Sequence, residues 1–173
     1  MERAIMRPDS TEYAPYYEQY ISAVPEGDLI HILEEQLETS STLFKSLSDA
    51  QAITSYQQGK WTIKQVLRHI IDAERIFTFR ALCFARGEHQ ELPGFDQDEY
   101  VRQSDCNEYP WHDLVEEFQH VRRSTISLFR SLPPDAWYKR GVASKFEVTV
   151  RALAYITAGH ERHHTDVIRT RYL

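Results

Sequence analysis

The sequence predicts an all-α fold, a four-helix bundle with an extended N-terminal arm. Three observations point there. Four long stretches repeat apolar residues at helical spacing. Chain breakers are few, six Gly and seven Pro in 173 residues, which suits long helices better than a turn-rich β fold. No stretch alternates convincingly as a half-buried strand does. With 42% hydrophobic residues the chain can bury a sizeable core, and residues 1–173 are expected to form a single domain.

The arm comes first. Residues 1–27 hold Pro8, Pro15, Pro25 and Gly27 among Tyr13, Tyr16, Tyr17 and Tyr20. This composition predicts an extended or short-helical segment whose tyrosines pack on the body; lining a pocket is the other use of such a cluster. Helix one starts at the N-cap Asp28 and runs to about Asp49. Its stripe is Leu29, Ile32, Leu33, Gln36, Leu37, Ser40, Leu43, Phe44 and Leu47, with His31 off it.

Thr62 can cap helix two, whose inner face is Ile63, Val66, Leu67, Ile70, Ala73, Phe77, Leu82 and Phe84, to about Arg86. His69 shares a face with Val66, Ala73 and Ile76. Residues 87–110 form a connection long enough to carry function or to cross the top of a bundle. Helix three runs from about Trp111 to Leu132, with Leu114, Val115, Phe118, Val121, Thr125, Leu128 and Phe129 inward and His112 and His120 at the surface. Pro133-Pro134 stops it. Residues 135–147 connect, with Trp137 and Phe146 expected to be packed. Helix four spans about Thr149 to Thr170.

Net charge is −6 and no Lys/Arg block has the density of a nucleic-acid stripe, so nucleic acid is not an expected partner. No apolar run approaches the roughly 18 residues of a membrane span. Residues 1–7 lack the apolar core of a signal peptide. Cys83 and Cys106 are read as two free thiols in a reducing, cytoplasmic setting.

Helix four carries the strongest chemical signal, His160-Glu161-Arg162-His163-His164. At about 100° per residue, Leu153, Ile156 and Val167 fall within roughly 40° of His160, and His164 falls near +40° on the same apolar arc. His163 falls near −60°, at the edge of that arc. One core histidine is commonly a structural residue with its polar atoms satisfied. Two on adjacent turns of a buried stripe are harder to satisfy without a ligand, since an unpaired buried polar group costs about 1–3 kcal/mol. His69 on helix two can join them if helices two and four are neighbours, because bundles build metal sites from facing helices. His160-Glu161-x-x-His164 also matches the short zinc-protease pattern, with Glu as base. The extended form needs a further Gly and His, and neither follows His164, so a peptidase is not the reading taken.

Several segments together resemble the DinB/YfiT-like superfamily of bacterial metal-binding bundles. They are Pro8-x-x-x-Glu12-Tyr13-x-Pro15-Tyr16-Tyr17 with Val24-Pro25, Trp61-Thr62-Ile63-Lys64-Gln65-Val66-Leu67-x-His69-Ile70-x-Asp72, Pro93-Gly94-Phe95-Asp96, and Gly159-His160-Glu161-Arg162-His163-His164 with Arg171-Tyr172-Leu173. They span nearly the whole chain in family order. The resemblance implies a metal site of His69, His160 and His164, zinc or nickel as the divalent metal with water completing its shell, and a homodimer. Three histidines with an open position suit catalysis better than a closed structural site. The family implies either a transferase that activates a low-molecular-weight thiol such as bacillithiol or mycothiol, or a metal-dependent hydrolase. A non-enzymatic bundle stabilised by its metal is the third reading. The expected partner is a small-molecule substrate. Glu161 could act as a base, support a neighbouring ligand, or stand solvated on the helix face. Asp72 and Glu74 could orient the second nitrogen of His69, or form ordinary surface ion pairs.

Overall fold

The structure is a computed structural model that describes residues 5–173; the first four residues of the stretch expected to lack a signal segment lie outside the described residues. The arm opens with a 3-10 turn, Ser10–Glu12, in which Asp9 and Glu12 form a reciprocal capping box. The Glu12 carboxylate also takes the Arg151 guanidinium and the Thr149 hydroxyl, fastening the arm to the last long helix. A second 3-10 turn, Pro15–Tyr17, runs into α1 (Glu18–Ala23). The arm is thus short-helical, one of its two expected forms.

Asp28 caps α2 (Leu29–Lys45) by accepting from the His31 amide. A short α3 (Asp49–Ala52), capped by Ser48, begins where the first predicted helix was expected to end, and α2 itself stops earlier, at Lys45. Thr62 and Gln65 form a capping box that starts α4 (Ile63–Ala85). The long connection contains α5 (Gln97–Gln103), started by Asp96. Then come α6 (Trp111–Arg130), an antiparallel hairpin of β1 (Arg140–Ala143) and β2 (Phe146–Thr149), and α7 (Val150–Val167). A π-helical turn, Ile168–Tyr172, follows α7.

The hairpin corrects the expectation of no strand. Its two strands have four residues each, too short to show alternation. Its turn, Ser144-Lys145, has positive φ at both positions without the Asn-Gly or Asp-Gly that usually signals one. Phe146, expected to be packed, is exposed at the start of β2, whereas Trp137 is buried. Leu82 is also exposed. At about 100° per residue it lies roughly 220° around α4 from His69, while Phe84 lies near 60°.

The long helices α2, α4, α6 and α7 form the bundle. α7 packs on α4, on α1 and on α2; α6 packs on α4 and α2. The condition for joining His69 to the other two histidines, neighbouring helices, is therefore met. Leu33, Phe44, Leu67, Ile70, Leu114, Phe118, Leu153 and Ile156 fill the interior. Arg122 is fully buried among them and pairs with Glu74 through two parallel hydrogen bonds of 2.9 Å. Its remaining nitrogen bonds Gln36, so one guanidinium ties α2, α4 and α6. α1 approaches α7 closely because residue 159 is glycine: a Cβ there would lie 1.9 Å from the Tyr20 carbonyl oxygen. No helix among the described residues is long and apolar enough to cross a membrane.

Candidate metal centre

Three imidazoles meet between α4 and α7. His69 projects from the second turn of α4, on the stripe that faces α7, and His160 and His164 project from successive turns of α7. Each offers a ring nitrogen, and the three lie within 4.8 Å of one another. The Nε2 atoms of His69 and His160 are 2.9 Å apart. His69 and His160 are buried, while His164 is half-buried, so the cluster is approached from the His164 side.

The electrostatics suit a cation. Burial lowers His69 to a pKa of about 4. Burial, with the charges of His69 and His163 against it, lowers His164 to about 3. His160 is pushed well down by burial and by its three histidine neighbours. All three are therefore neutral near neutral pH, with lone pairs free to coordinate. Two neutral imidazole nitrogens at hydrogen-bond distance satisfy each other only if one keeps its proton. Among the described residues the cluster holds these three histidines and no carboxylate or thiol. Three imidazole donors without thiolate fit zinc or nickel.

Aromatic rings wall the cluster. Trp61 lies against His69, with ring centres 5.1 Å apart, and Phe77 against His160 at 5.6 Å. Tyr20 meets both His160 and His163 edge-on, at 5.3 and 5.4 Å. The Tyr172 hydroxyl donates to the Trp61 carbonyl at 2.6 Å, which draws the C-terminal turn over this side of the site. Burial raises the Tyr172 phenol to about 12, so it stays a donor.

The sequence-predicted ligands His69, His160 and His164 are brought together. His163 stays outside the cluster, half-buried against Tyr20 and the edge of His164. His31 and His112 lie exposed beside Glu34, Glu35 and Asp113, and His120 is exposed.

The carboxylates differ from expectation. Glu161 is neither solvated nor turned to the imidazoles; it is buried and accepts from the Ser40 hydroxyl on α2. Burial raises its pKa, opposed by the nearby Arg122 cation and the Ser40 bond. Asp72 lies between Arg68 and Arg75, at 3.7 and 3.8 Å, and Glu74 is held by Arg122. Asp72 takes the ion-pair alternative, whereas Glu74 takes neither expected role: its pair with Arg122 is buried in the interior, so neither carboxylate orients His69. Sequence reasoning did not assign Tyr20, Trp61 or Phe77 to the site. The tyrosine cluster in the arm was a usable signal, but only the path of the arm decides which tyrosine arrives.

Comparison with known proteins adds the lineage. The sequence profile of the DinB superfamily matches residues 32–168. A candidate metal-dependent hydrolase of Oceanobacillus iheyensis is 26% identical over 145 residues, covering 81% of this chain and 83% of its own. YfiT of Bacillus subtilis, also named as a candidate metal-dependent hydrolase, is 24% identical over 156 residues, covering 88% and 86%. The solved structure of YfiT, described as a four-helix bundle of unusual topology, superimposes with a TM-score of 0.70 at 18% identity, over 95% of this chain and 92% of that one. The mycothiol-dependent maleylpyruvate isomerase superimposes with a TM-score of 0.68 at 13% identity, over 84% of this chain and 62% of that one. At these identities the structural likeness establishes the four-helix bundle fold.

Proposed function

The chain belongs to the DinB superfamily, and on that premise we propose a metal-dependent enzyme. His69, His160 and His164 hold one divalent transition metal, zinc or nickel, and a small nucleophile is activated there for attack on an electrophile. The observation that carries this reading is the convergence of three neutral imidazole nitrogens within 4.8 Å, those of buried His69 and His160 and of half-buried His164. A divalent metal held by three neutral ligands keeps its full charge and lowers the pKa of a thiol or water brought to it.

The protein groups favour a thiol. His69 and His160 are fixed by the packing of α4 on α7, and His164 leaves the approach open. Trp61, Phe77 and Tyr20 exclude water and offer apolar faces to an organic ligand. Glu161 is held away by Ser40, so the cluster has no carboxylate to take a proton from water. A thiol starts from a pKa near 8.5, far below that of water, and needs no such base. The reading is therefore an S-transferase using a low-molecular-weight thiol, acting in the reducing cytoplasm that suits free Cys83 and Cys106. A hydrolase is the second reading, favoured by the names its sequence relatives carry.

The test is consumption of monobromobimane by zinc- or nickel-loaded protein, with and without a small thiol. Loss of the electrophile that needs both metal and thiol, above the uncatalysed rate, supports the transferase. Turnover of an activated ester without thiol moves the assignment to hydrolase. No turnover of either, with metal bound, leaves the stabilising role.

A further inference from the structure

Arg80 is a buried cation without a counter-ion. It is 2% exposed. Its Nη2 donates to the Pro93 carbonyl at 2.8 Å and to Ser144 Oγ at 3.0 Å. Both acceptors are neutral and both are reached through one nitrogen, and the neutral Tyr17 hydroxyl stands in hydrogen-bonding reach of the same guanidinium. The other well-covered arginines are paired differently: Arg122 with Glu74, Arg68 with Glu117 and Arg151 with Glu12. Among the described residues no carboxylate comes within 4.0 Å of Arg80. Buried charges are ordinarily paired, because an isolated one is costly to desolvate. Anchoring the Pro93 loop and the hairpin turn needs two donors, which a neutral side chain could also supply, so the positive charge is left over.

Its position connects it to the metal centre. Arg80 follows His69 by eleven residues, three turns and about 20° around α4, so both lie on one stripe about 16 Å apart along the axis. Side chains of both lean toward the helix N-terminus, the longer arginine further, so guanidinium and imidazole stand on the order of 15 Å apart. Aromatic rings pave that gap. The Tyr17 hydroxyl lies beside the Arg80 guanidinium, close enough to share a hydrogen bond and to feel its charge, but it carries no charge to balance it. The Tyr17 ring meets Phe77 at 6.1 Å and Tyr20 at 6.3 Å, and both of those meet His160.

We propose that Arg80 binds the acidic group at one end of an elongated small molecule whose other end reaches His69, His160 and His164, with Tyr17, Tyr20 and Phe77 packed along its apolar middle. The acidic group is a carboxylate or a phosphate; the guanidinium fork accepts either through paired hydrogen bonds. The far end of this molecule rests on the metal-site reading, whereas the anion preference does not.

The probes are ω-mercapto-octanoate and its amide, equal in length and in thiol and differing only in charge at the far end. Their binding to zinc-loaded protein is measured by calorimetry. The acid is expected to bind about tenfold tighter than the amide, a charge-assisted hydrogen bond's worth. Arg80→Gln should erase the preference with zinc content unchanged, and Arg80→Lys should keep most of it. In the His69→Ala/His164→Ala protein both probes should weaken while the acid stays preferred, so failure of the metal reading is seen separately. If Arg80→Gln does not fold, the unaltered protein still decides: its Arg80 Nε–H resonance, assigned by its loss in Arg80→Lys, should shift with the acid and not with the amide. Equal binding of acid and amide, binding of neither, a preference that survives in Arg80→Gln, or no shift of that resonance would each overturn the proposal. Octyl phosphate competing better than octanoate would identify the acidic group as a phosphate, and the reverse as a carboxylate.

Discussion

The Nε2 atoms of His69 and His160 lie 2.9 Å apart, joining α4 to α7 across ninety-one residues of sequence. Burial keeps both rings neutral, so one nitrogen must donate to the other unless a cation takes both lone pairs. His164 completes the set from the next turn of α7. His163, its neighbour, points to Tyr20 instead. Alanine at His69, His160 or His164 should therefore weaken zinc binding by more than the roughly 10–100-fold that follows loss of a ligand's hydrogen-bond partner. His163→Ala should bind zinc as the unaltered protein does. Competition with a chromogenic chelator reads both; equal losses in His163→Ala and His164→Ala would mean the α7 face is wrongly assigned.

Glu161 separates two chemistries. Its carboxyl is buried against Ser40, so Glu161→Gln should retain metal and keep turnover within a few-fold. A general base contributes about 10²–10⁴-fold. A loss of that size in kcat, with metal content intact, would restore Glu161 as a base and with it the hydrolase.

The Glu74–Arg122 pair is a structural clasp. Glu74→Ala leaves a fully buried guanidinium without its carboxylate, and breaking such a pair costs about 3–5 kcal/mol. The urea midpoint should fall accordingly. A loss below about 1 kcal/mol would show that water or Glu161 replaces the lost partner.

Gly159→Ala tests how closely the arm is docked. Helix propensity alone would make alanine stabilising by about 1 kcal/mol. The clash with the Tyr20 carbonyl predicts the opposite sign, a loss of about 1–3 kcal/mol as α1 is pushed off α7. Thermal melting gives the sign directly, and a stabilised variant would contradict the close approach of α1.

The pH dependence follows from the depressed histidines. Their folded pKa values lie below the ordinary 6.5, so between that value and about 4 the unfolded chain binds more protons than the folded one. Stability of metal-free protein should hold above pH 6.5 and fall as pH drops through that window, by up to about 1.4 kcal/mol per pH unit for each histidine. The His69→Ala/His164→Ala protein should show a flatter profile in urea unfolding. An unchanged slope would mean that these rings are solvated.

Much of this was legible because it depends on local periodicity. Leu29 to Phe44, Ile63 to Phe84 and Leu114 to Phe129 declare their stripes, and the same angles set His160 and His164 on one face with His163 off it. What was not legible depends on which element arrives at a given angle. Glu161 stands about 100° from His160, but nothing local says that Ser40 of α2 waits there. Glu74 reads as a partner for His69 or a surface ion pair until Arg122 of α6 is found buried opposite it. Tyr20 enters the site only through the route of the arm. The hairpin was hidden by strands of four residues and a turn without glycine.

The most direct test of the central claim is elemental analysis of the purified, untagged protein beside its His69→Ala/His164→Ala variant. The three-histidine site predicts close to one zinc or nickel per chain in the unaltered protein and none in the folded variant. A metal-free protein that takes up neither ion when it is added back, or a variant that keeps full occupancy, would contradict it.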